Sequence, residues 1–479
     1  MNILFIYSIW SYQSVVRPLK GQQEIQFGIS YISSLLKSHG YNTELLVLTK
    51  ETKREFIDKY IKTFSPNLIC FTAVSTEYEF TSDIAKYIKS KYPSIYLLIG
   101  GPHASLKPEQ ILLDSFDALC IGEGEYPALE LVRQLEKGKK PTQIKNLWIK
   151  DGDKIEINPT REFIRDLDNL PFPDRDIWQR WVKHHETRHV VFLGRGCLFQ
   201  CTYCCNQAFE KLAAGNYVRF RSVDNIVKEL KEIIAKFPKT REVYFETESI
   251  GMNTEFAAEF CSRLEKFNKD YGKRLRFGVN LRITAGMDCN YLFNTLKKAN
   301  FNSINIGLES GSERVRNEVL KRYYSNQSII QNVKLAKENG FKVYMFAMVG
   351  IPGETLADFK DTIKCVRECQ PEWILLSIFY PYPGTVLYNL CKEKGLLNHK
   401  IDTRLERRRA VLDFPEFSKH QIKKQFIWFF YYVYKGYRPL LLVLGYVVFQ
   451  HVRSDYILDL LYRKIIRYSF FDRLLSRAV

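Results

Sequence analysis

The sequence has no Gly/Ser-rich linker, no low-complexity tract and no internal repeat. These absences exclude a flexible tether and a solenoid as its main architecture. It also lacks an uninterrupted apolar run of about 20 residues, the length a membrane-crossing helix needs. The most apolar stretch, "KHQIKKQFIWFFYYVYKGYRPLLLVLGYVVFQHV", is broken in its middle by Lys435, Arg438 and Pro439. The opening "MNILFIYSIW" has no basic segment before it and no small-residue cleavage site after it, so a first β-strand is expected there and the chain is expected in the cytoplasm. With 46% hydrophobic and 26% charged residues over 479 positions, the bulk numbers are those of a folded chain of about two to four domains.

Charge is plentiful and uneven. The formal net charge is +18, and residues 400–479 carry 16 Lys and Arg against 7 Asp and Glu. Such a tail faces an acidic partner, a membrane surface or only water. "RRR" at 407–409 has no aromatic-interleaved basic platform beside it, so nucleic acid is not expected.

The first 140 residues alternate apolar runs ("NILFIYS", "NTELLVL", "NLICFTAV", "IYLLIGG") with amphipathic stretches such as "REFIDKYIKTF". This is the signature of βαβ units and a parallel sheet covered on both faces, with ligands at the carboxyl ends of the strands. Residues 141–187, with "NLPFPDRDIW", read as a linker. A second α/β series follows, with strands near "HVVFLGRG", "EVYFETES", "LRFGVNLR", "SINIGLESG", "VYMFAMVGIPG" and "WILLSIFYPYPG". Six βα units fit a partial or full barrel whose chemistry gathers at the strand ends. The expected domains are 1–140, 188–390 and a helical, basic and aromatic region at 391–479.

Against this background "GRGCLFQCTYCCNQ" places four of eleven cysteines in nine positions. In a reducing compartment a dense cysteine group holds a metal rather than disulfides. Cys197, Cys201 and Cys204 form C-x3-C-x2-C after an expected strand; three thiolates suit three irons of a [4Fe-4S] cube, whereas a closed zinc site needs a fourth protein ligand. Cys205 adjoins Cys204 and is expected to point elsewhere. Cys365 and Cys369, one helical turn apart, with Cys391 further on, leave a second cluster open beside the reading as buried free thiols, which are common in helices.

This spacing, with Tyr203 before the third cysteine, resembles the signature of radical S-adenosylmethionine (SAM) enzymes. The resemblance implies that the fourth iron binds the amino and carboxylate groups of SAM, which one electron cleaves to a 5′-deoxyadenosyl radical. It further implies Glu309 and Ser310 of "GLESG" near the SAM ribose and methionyl part, and Gly350, Ile351 and Pro352 of "VGIPGE" along the adenine. Arg282 is a candidate partner of the SAM carboxylate, the alternative being a solvated strand-end arginine. Where relatives carry "GGE", which backs the SAM amino group, this chain has "YFETESIGMN"; the resemblance implies that Glu246 or Glu248, two apart on one strand and so on one face, stands in at that amino group.

"IGGPHAS" and "CIGEGEYPALELV" resemble the cobalamin-binding domain that precedes many radical SAM barrels. The resemblance implies cofactor contacts at Ser75, Gly100, Gly101, His103, Ala104, Gly122, Glu123 and Gly124, the glycines leaving room for the nucleotide tail. The loop after the first strand has no histidine and no D-x-H-x-x-G, so cobalamin is expected without a protein imidazole on cobalt, and His103 is expected to hydrogen-bond at its strand end instead.

The family likeness therefore implies a Rossmann-like cobalamin domain, a radical SAM barrel and a helical C-terminal region. Its cofactors are a [4Fe-4S] cluster, SAM and cobalamin, with an external electron donor of the flavodoxin or ferredoxin type. The leading function is methyl transfer through methylcobalamin to an unactivated carbon, or to phosphorus, of a small-molecule or lipid-like substrate. An oxidative cyclase or rearrangement enzyme and a non-catalytic corrinoid or cluster-binding module are the alternatives. A methylthiotransferase is disfavoured, since the amino-terminal domain has only Cys70 and Cys120. For the tail, a core-facing helix carrying Ile422, Phe426, Phe429, Val433 and Tyr437 stands beside a basic aromatic helix lying on a membrane, with clustered aromatics from 426 to 434 at its surface.

Overall fold

The apolar runs become the strands of two separate parallel sheets. The structure is a computed structural model that describes residues 1–10, 16–272, 275–397, 403, 406–455, 457 and 458. The last 21 positions, which hold part of the basic tail, lie outside the described residues, as do residues 11–15 of the loop after the first strand.

The chain divides into two compact units, one formed by residues 1–197 and 205–240, the other by 198–204 and 241–479. Residues 188–197 and 205–240 are grouped with the first of these units. That unit's main strands are β1 (Asn2–Ile9), β2 (Asn42–Thr49), β3 (Leu68–Thr72), β4 (Tyr96–Gly100), β5 (Ala118–Cys120), β6 (Leu147–Asp151) and β7 (Lys154–Ile157). Their order is β2-β1-β3-β4-β5-β6-β7, with β1 to β5 parallel and the last two turned antiparallel. Helices α1 (Phe27–Ser38), α2 (Arg54–Phe64) and α3 (Tyr78–Lys91) supply the first three crossovers, the short helices Pro102–Leu106 and Pro108–Leu112 the fourth, and α4 (Glu125–Glu136) leads on to the antiparallel β6. Ile3, Leu4, Phe5 and Ile6 are all buried, so β1 is covered on both faces, as a doubly wound sheet requires. The order 2-1-3-4-5 puts the switch point between β1 and β3, where ligands of such sheets bind.

Also in the first unit are β8 (Arg188–Phe192) and α5 (Val223–Lys236). In the second, β9 (Glu242–Glu246), β10 (Arg276–Leu281), β11 (Phe301–Glu309), β12 (Lys342–Val349) and β13 (Trp373–Ile378) lie side by side, in chain order and parallel. They alternate with α6 (Thr254–Asp270), α7 (Cys289–Lys298), α8 (Asn326–Glu338) and α9 (Leu356–Cys369). Val243, Phe245, Phe277, Val279, Ile304 and Ile306 are fully buried, and Phe245 meets Phe260 of α6 at 4.8 Å. The intervening Glu246, Asn280, Asn305 and Tyr344 are half-buried. One face of the sheet is therefore sealed by helices while the other is lined with polar groups, the division a barrel wall needs.

Beyond residue 390 come α10 (Lys419–Tyr434) and α11 (Leu440–Ser454). A capping box starts α10, with Ser418 and Gln421 bonding each other's backbone. Arg367 closes its end by donating to the Tyr432 and Val433 carbonyls at 3.1 and 2.9 Å. Ile422, Phe426, Phe429 and Val433 are buried as the periodicity foretold, whereas Tyr437 lies past the helix end and is half-buried. Phe429 meets Phe359 at 5.9 Å, and Phe430 stacks on Trp373 of β13 at 4.9 Å. The Phe and Tyr side chains at 426, 429, 430 and 434 are thus core, which corrects their expected place at a membrane surface. Among the described residues no helix is long and apolar enough to cross a membrane.

Candidate functional site

The loop 198–204 is tied to the second unit through Thr202. Its hydroxyl donates to the Val319 carbonyl at 2.6 Å, its amide to Leu320 at 3.4 Å, and its carbonyl accepts the Leu387 amide at 3.0 Å. Within the loop the Cys204 amide reaches the Cys201 carbonyl at 3.1 Å, a tight turn that brings these two cysteines onto one bend. Cys197 and Cys201 are buried and Cys204 is half-buried. Cys205 opens the short helix Asn206–Glu210, its carbonyl accepting the Ala208 amide at 2.9 Å. Among the described residues no three Cys, His, Asp or Glu side chains converge as ligands of a single metal ion.

Two guanidinium groups aim at the Cys201 sulfur. Arg282 Nη1 donates to Sγ at 3.0 Å and Arg322 Nη1 stands 3.9 Å away. Arg282 is 9% exposed and lies over the Phe199 ring at 3.6 Å, so the solvated-arginine alternative is excluded. Its Nε is buried without a hydrogen-bond partner. Arg322 also donates to Tyr203 Oη at 3.1 Å and stands 3.8 Å from Glu309. Burial, with Glu309 next, pushes the Tyr203 phenol well above its ordinary pKa. Nothing in the sequence marked Arg322, which lies 121 positions from Cys201.

Glu309 ends β11 in left-handed backbone, at φ 64°, just after a register shift against β12. That local turn decides where the next side chain goes. Ser310 is fully buried, and its hydroxyl accepts the Ser312 amide at 3.2 Å beside Thr362. Ser310 therefore supports the loop from behind and is not brought to the open strand end, which corrects its expected place against SAM. Gly350 has φ +78°, and a Cβ there would come within 3.0 Å of Ile422 of α10. Ile351 and Pro352 are buried beside it. Glu354 Oε2 accepts the Gly350 and Ile351 amides at 2.7 and 3.3 Å, while its Oε1 is buried with no partner.

Glu246 and Glu248 do not share a strand face: β9 ends at Glu246, and Glu248 beyond it is exposed. The strand period does not carry to Glu248 because β9 ends two residues before it. Glu246 instead closes a directed chain in which Asn305 donates to Tyr244 Oη (2.7 Å), Tyr244 to Asn280 Oδ1 (2.5 Å) and Asn280 Nδ2 to Glu246 Oε1 (2.8 Å). Burial pushes this carboxyl up to about 7, with the Asn280 bond opposing.

In the first unit three adjacent strand ends are stitched together. The Ala73 amide reaches the Gly100 carbonyl at 3.2 Å, the His103 amide reaches Ala73 at 3.0 Å, and Gly122 N donates to Ser105 Oγ at 2.9 Å. Gly101 has φ +91°, and a Cβ there would strike Thr72 Oγ1 at 2.5 Å. His103 Nδ1 is 3.0 Å from Ser75 Oγ and its ring stacks on Tyr78 at 4.1 Å, so it does hydrogen-bond at its strand end. Burial, then Lys107, brings its pKa down to about 4, with Gln110 opposing. Ala104 is fully buried, and Gly124 sits beside Ile32. Glu123 is not presented at this edge. It accepts from Arg195 Nη1 at 2.8 Å, from Arg219 Nη1 at 3.0 Å and from the Ile164 amide at 2.8 Å, all within the unit, which corrects its expected cofactor contact.

Residues 191–366 match the model of the radical SAM superfamily, and residues 20–132 match that of the B12 binding domain. The chain is a cobalamin-binding radical SAM enzyme. It is 25% identical over 419 residues to an uncharacterized methyltransferase, PH0819, of Pyrococcus horikoshii, across 86% of this chain and 88% of that one. It is also 25% identical, over 409 residues, to the anaerobic magnesium-protoporphyrin IX monomethyl ester cyclase of Rubrivivax gelatinosus, covering 82% and 70% of the two chains. In fold it is similar to the cobalamin-dependent radical enzyme OxsB (TM-score 0.70, 14% identity, 97% of this chain and 75% of that one). The radical SAM methyltransferase TsrM of Kitasatospora setae is similar too (TM-score 0.65, 15% identity, 83% and 75%).

The residues of this radical SAM enzyme fit its cofactors, a [4Fe-4S] cluster, SAM and cobalamin. Three thiols suit an iron–sulfur cluster, and the guanidinium donors at Cys201 suit a sulfur that accepts hydrogen bonds while it holds iron. A histidine held neutral by burial, beside a glycine turn where a Cβ has no room, suits a cofactor edge at the β3–β4 end.

Glu354 gives a pH test of the Gly350 loop. Burial holds its carboxyl up at about 8. An unpartnered buried oxygen costs on the order of 1–3 kcal/mol, and ionising it would cost more, so the neutral form belongs to the fold. Its contribution to stability is then complete below about pH 4.5 and is lost as pH rises through about 8. Glu354→Gln should lose less thermal stability than wild type between pH 5 and 9. Parallel melting curves would contradict the assignment.

Proposed function

We propose that this enzyme is a cobalamin-dependent methyltransferase acting on an unactivated carbon, or phosphorus, of a small-molecule substrate. The observation that carries it is the span of its methyltransferase relatives. PH0819 matches across both cofactor domains, and so do the cytidylyl-2-hydroxyethylphosphonate methyltransferase of Streptomyces wedmorensis and the hopanoid C-3 methylase of Methylococcus capsulatus, over 81% and 83% of this chain. When bound, the cluster with SAM supplies a 5′-deoxyadenosyl radical, and cobalamin supplies a transferable methyl group.

The chain's own residues then have distinct tasks. Cys197, Cys201 and Cys204 hold the cluster, and Arg282 and Arg322 steady the Cys201 sulfur with charge-assisted bonds. Glu309 and the Gly350–Pro352 turn bind SAM, the turn held by Glu354. The β3–β4 edge, with Ser75, Gly100, Gly101 and His103, binds cobalamin. Glu246, its position fixed by Asn280, faces the polar side of the barrel wall and orients substrate. An external flavodoxin- or ferredoxin-type donor brings the electron. The reading places the protein in the cytoplasm, where its eleven cysteines stay free, and at the periphery of a membrane that delivers substrate.

Cells expressing wild-type protein or Cys201→Ala, fed methyl-deuterated methionine, provide the test. A metabolite carrying one extra labelled methyl group only with wild type is expected. A wild-type-specific product that has lost two hydrogens and gained no carbon would replace this reading with the cyclase, which the Rubrivivax relative keeps in view.

A further inference from the structure

Helix α11 is apolar on two faces and covered on one. Val443, Val447, Gln450 and Ser454, spaced by 4, 3 and 4, are buried, and Tyr446 packs on Phe430 of α10 at 5.5 Å. On the remaining surface Leu440, Leu441 and Val448 are 57, 85 and 63% exposed, with Leu442 and Leu444 also exposed. A helix apolar all round is ordinarily covered all round. Beside it, α10 shows solvent Lys424, Trp428, half-buried Tyr431 and, just past its end, Lys435. Their spacing of 4, 3 and 4 makes a single stripe. Trp428 meets Tyr431 edge-on at 5.7 Å, and Lys435 Nζ lies over the Tyr431 ring at 5.2 Å.

Charge selects the occupant. Neither Lys419–Tyr434 nor Leu440–Ser454 contains an Asp or Glu, while Lys423, Lys424 and Lys435 are all exposed. A second copy seated on this face by two-fold symmetry would bring lysines against lysines. Residues 459–479 add five Lys and Arg against two Asp to the charge of this end of the chain. An acidic bilayer satisfies both features, taking aliphatic side chains into its interface and lysines at its headgroups.

We propose that the exposed aliphatic face of α11 and the Lys424–Trp428–Tyr431–Lys435 stripe of α10 form a docking surface for an acidic lipid bilayer, on which α11 lies without crossing. The inference rests on the membrane-delivered substrate read above and assigns it a surface. It differs from the sequence expectation in the residues used, since the aromatics at 426, 429, 430 and 434 are core.

Full-length protein is sedimented with vesicles of phosphatidylglycerol and phosphatidylcholine, and with phosphatidylcholine alone. Wild type should pellet with the acidic vesicles at low salt and only weakly with the neutral ones. Leu441→Glu/Val448→Glu should weaken partitioning about tenfold at every salt concentration, and Lys424→Glu/Lys435→Glu about tenfold at low salt only. Both variants change exposed side chains, and retained circular dichroism and 5′-deoxyadenosine formation confirm that they fold. Three results overturn the proposal: wild type that stays in solution, variants that pellet like wild type, or a dimer that Leu441→Glu/Val448→Glu splits while no form pellets. Pelleting without 5′-deoxyadenosine from any form would support the surface and refute the catalytic reading alone.

Discussion

Replacing Cys201 by alanine should abolish iron–sulfur absorbance and SAM cleavage together, with 5′-deoxyadenosine falling below detection. Cys197→Ala and Cys204→Ala should do the same, whereas Cys205→Ala should keep most of both. The contrast rests on local structure. Cys201 and Cys204 share one hydrogen-bonded turn, while Cys205 begins a helix whose first amides return to its carbonyl. A cluster needs three thiolates because the protein leaves its fourth iron to another ligand, so losing any one leaves two, too few to hold it. Anaerobic reconstitution followed by iron and sulfide analysis gives the first readout, and chromatography of cleaved SAM the second. A Cys205→Ala protein without a cluster, beside a Cys204→Ala protein that keeps one, would reassign the triad.

Much of this site was legible because its signals are local. Three cysteines within eight positions, and glycines at strand ends, point to a chemistry through spacing and backbone freedom. The helical periodicity of Ile422, Phe426, Phe429 and Val433 was legible for the same reason, though the β13 and α9 surfaces that receive these side chains were not. What escaped depends on tertiary placement. Arg322 reaches Cys201 across 121 positions, and the acceptance of Arg195 and Arg219 by Glu123 spans 72 and 96. Ser310 and Glu248 were misplaced by single backbone events. A left-handed residue at Glu309 turns Ser310 inward, and the end of β9 at Glu246 releases Glu248 from the strand period. A polar residue beside a strand-end glycine looks like a ligand in any sequence; which way its oxygen points is decided by one dihedral angle.

Arg282 should prove the most sensitive position outside the cysteines. Its guanidinium is buried, sandwiched against Phe199, and donates to the sulfur that Arg322 approaches from 3.9 Å. Removing the guanidinium takes away a positively charged donor to that sulfur, and changes to groups that support metal ligands typically cost about 10- to 100-fold. Arg282→Met, similar in length and apolar, should still fold and pack on Phe199, yet cleave SAM in that range more slowly and carry a cluster of lower reduction potential. Arg282→Lys should recover part of the potential, because it restores the charge, but little of the rate, because a single ammonium cannot both bond the sulfur and lie flat on the ring. Arg322→Lys should shift the potential less, since the longer approach gives a weaker bond, but should disturb Tyr203 and Glu309, which the same guanidinium ties together. Spectroelectrochemical titration separates the cases. A merely structural Arg282 would lower cluster content in Arg282→Met and leave the potential of the remaining cluster where it was, and that result would remove arginine from any electrostatic role at Cys201.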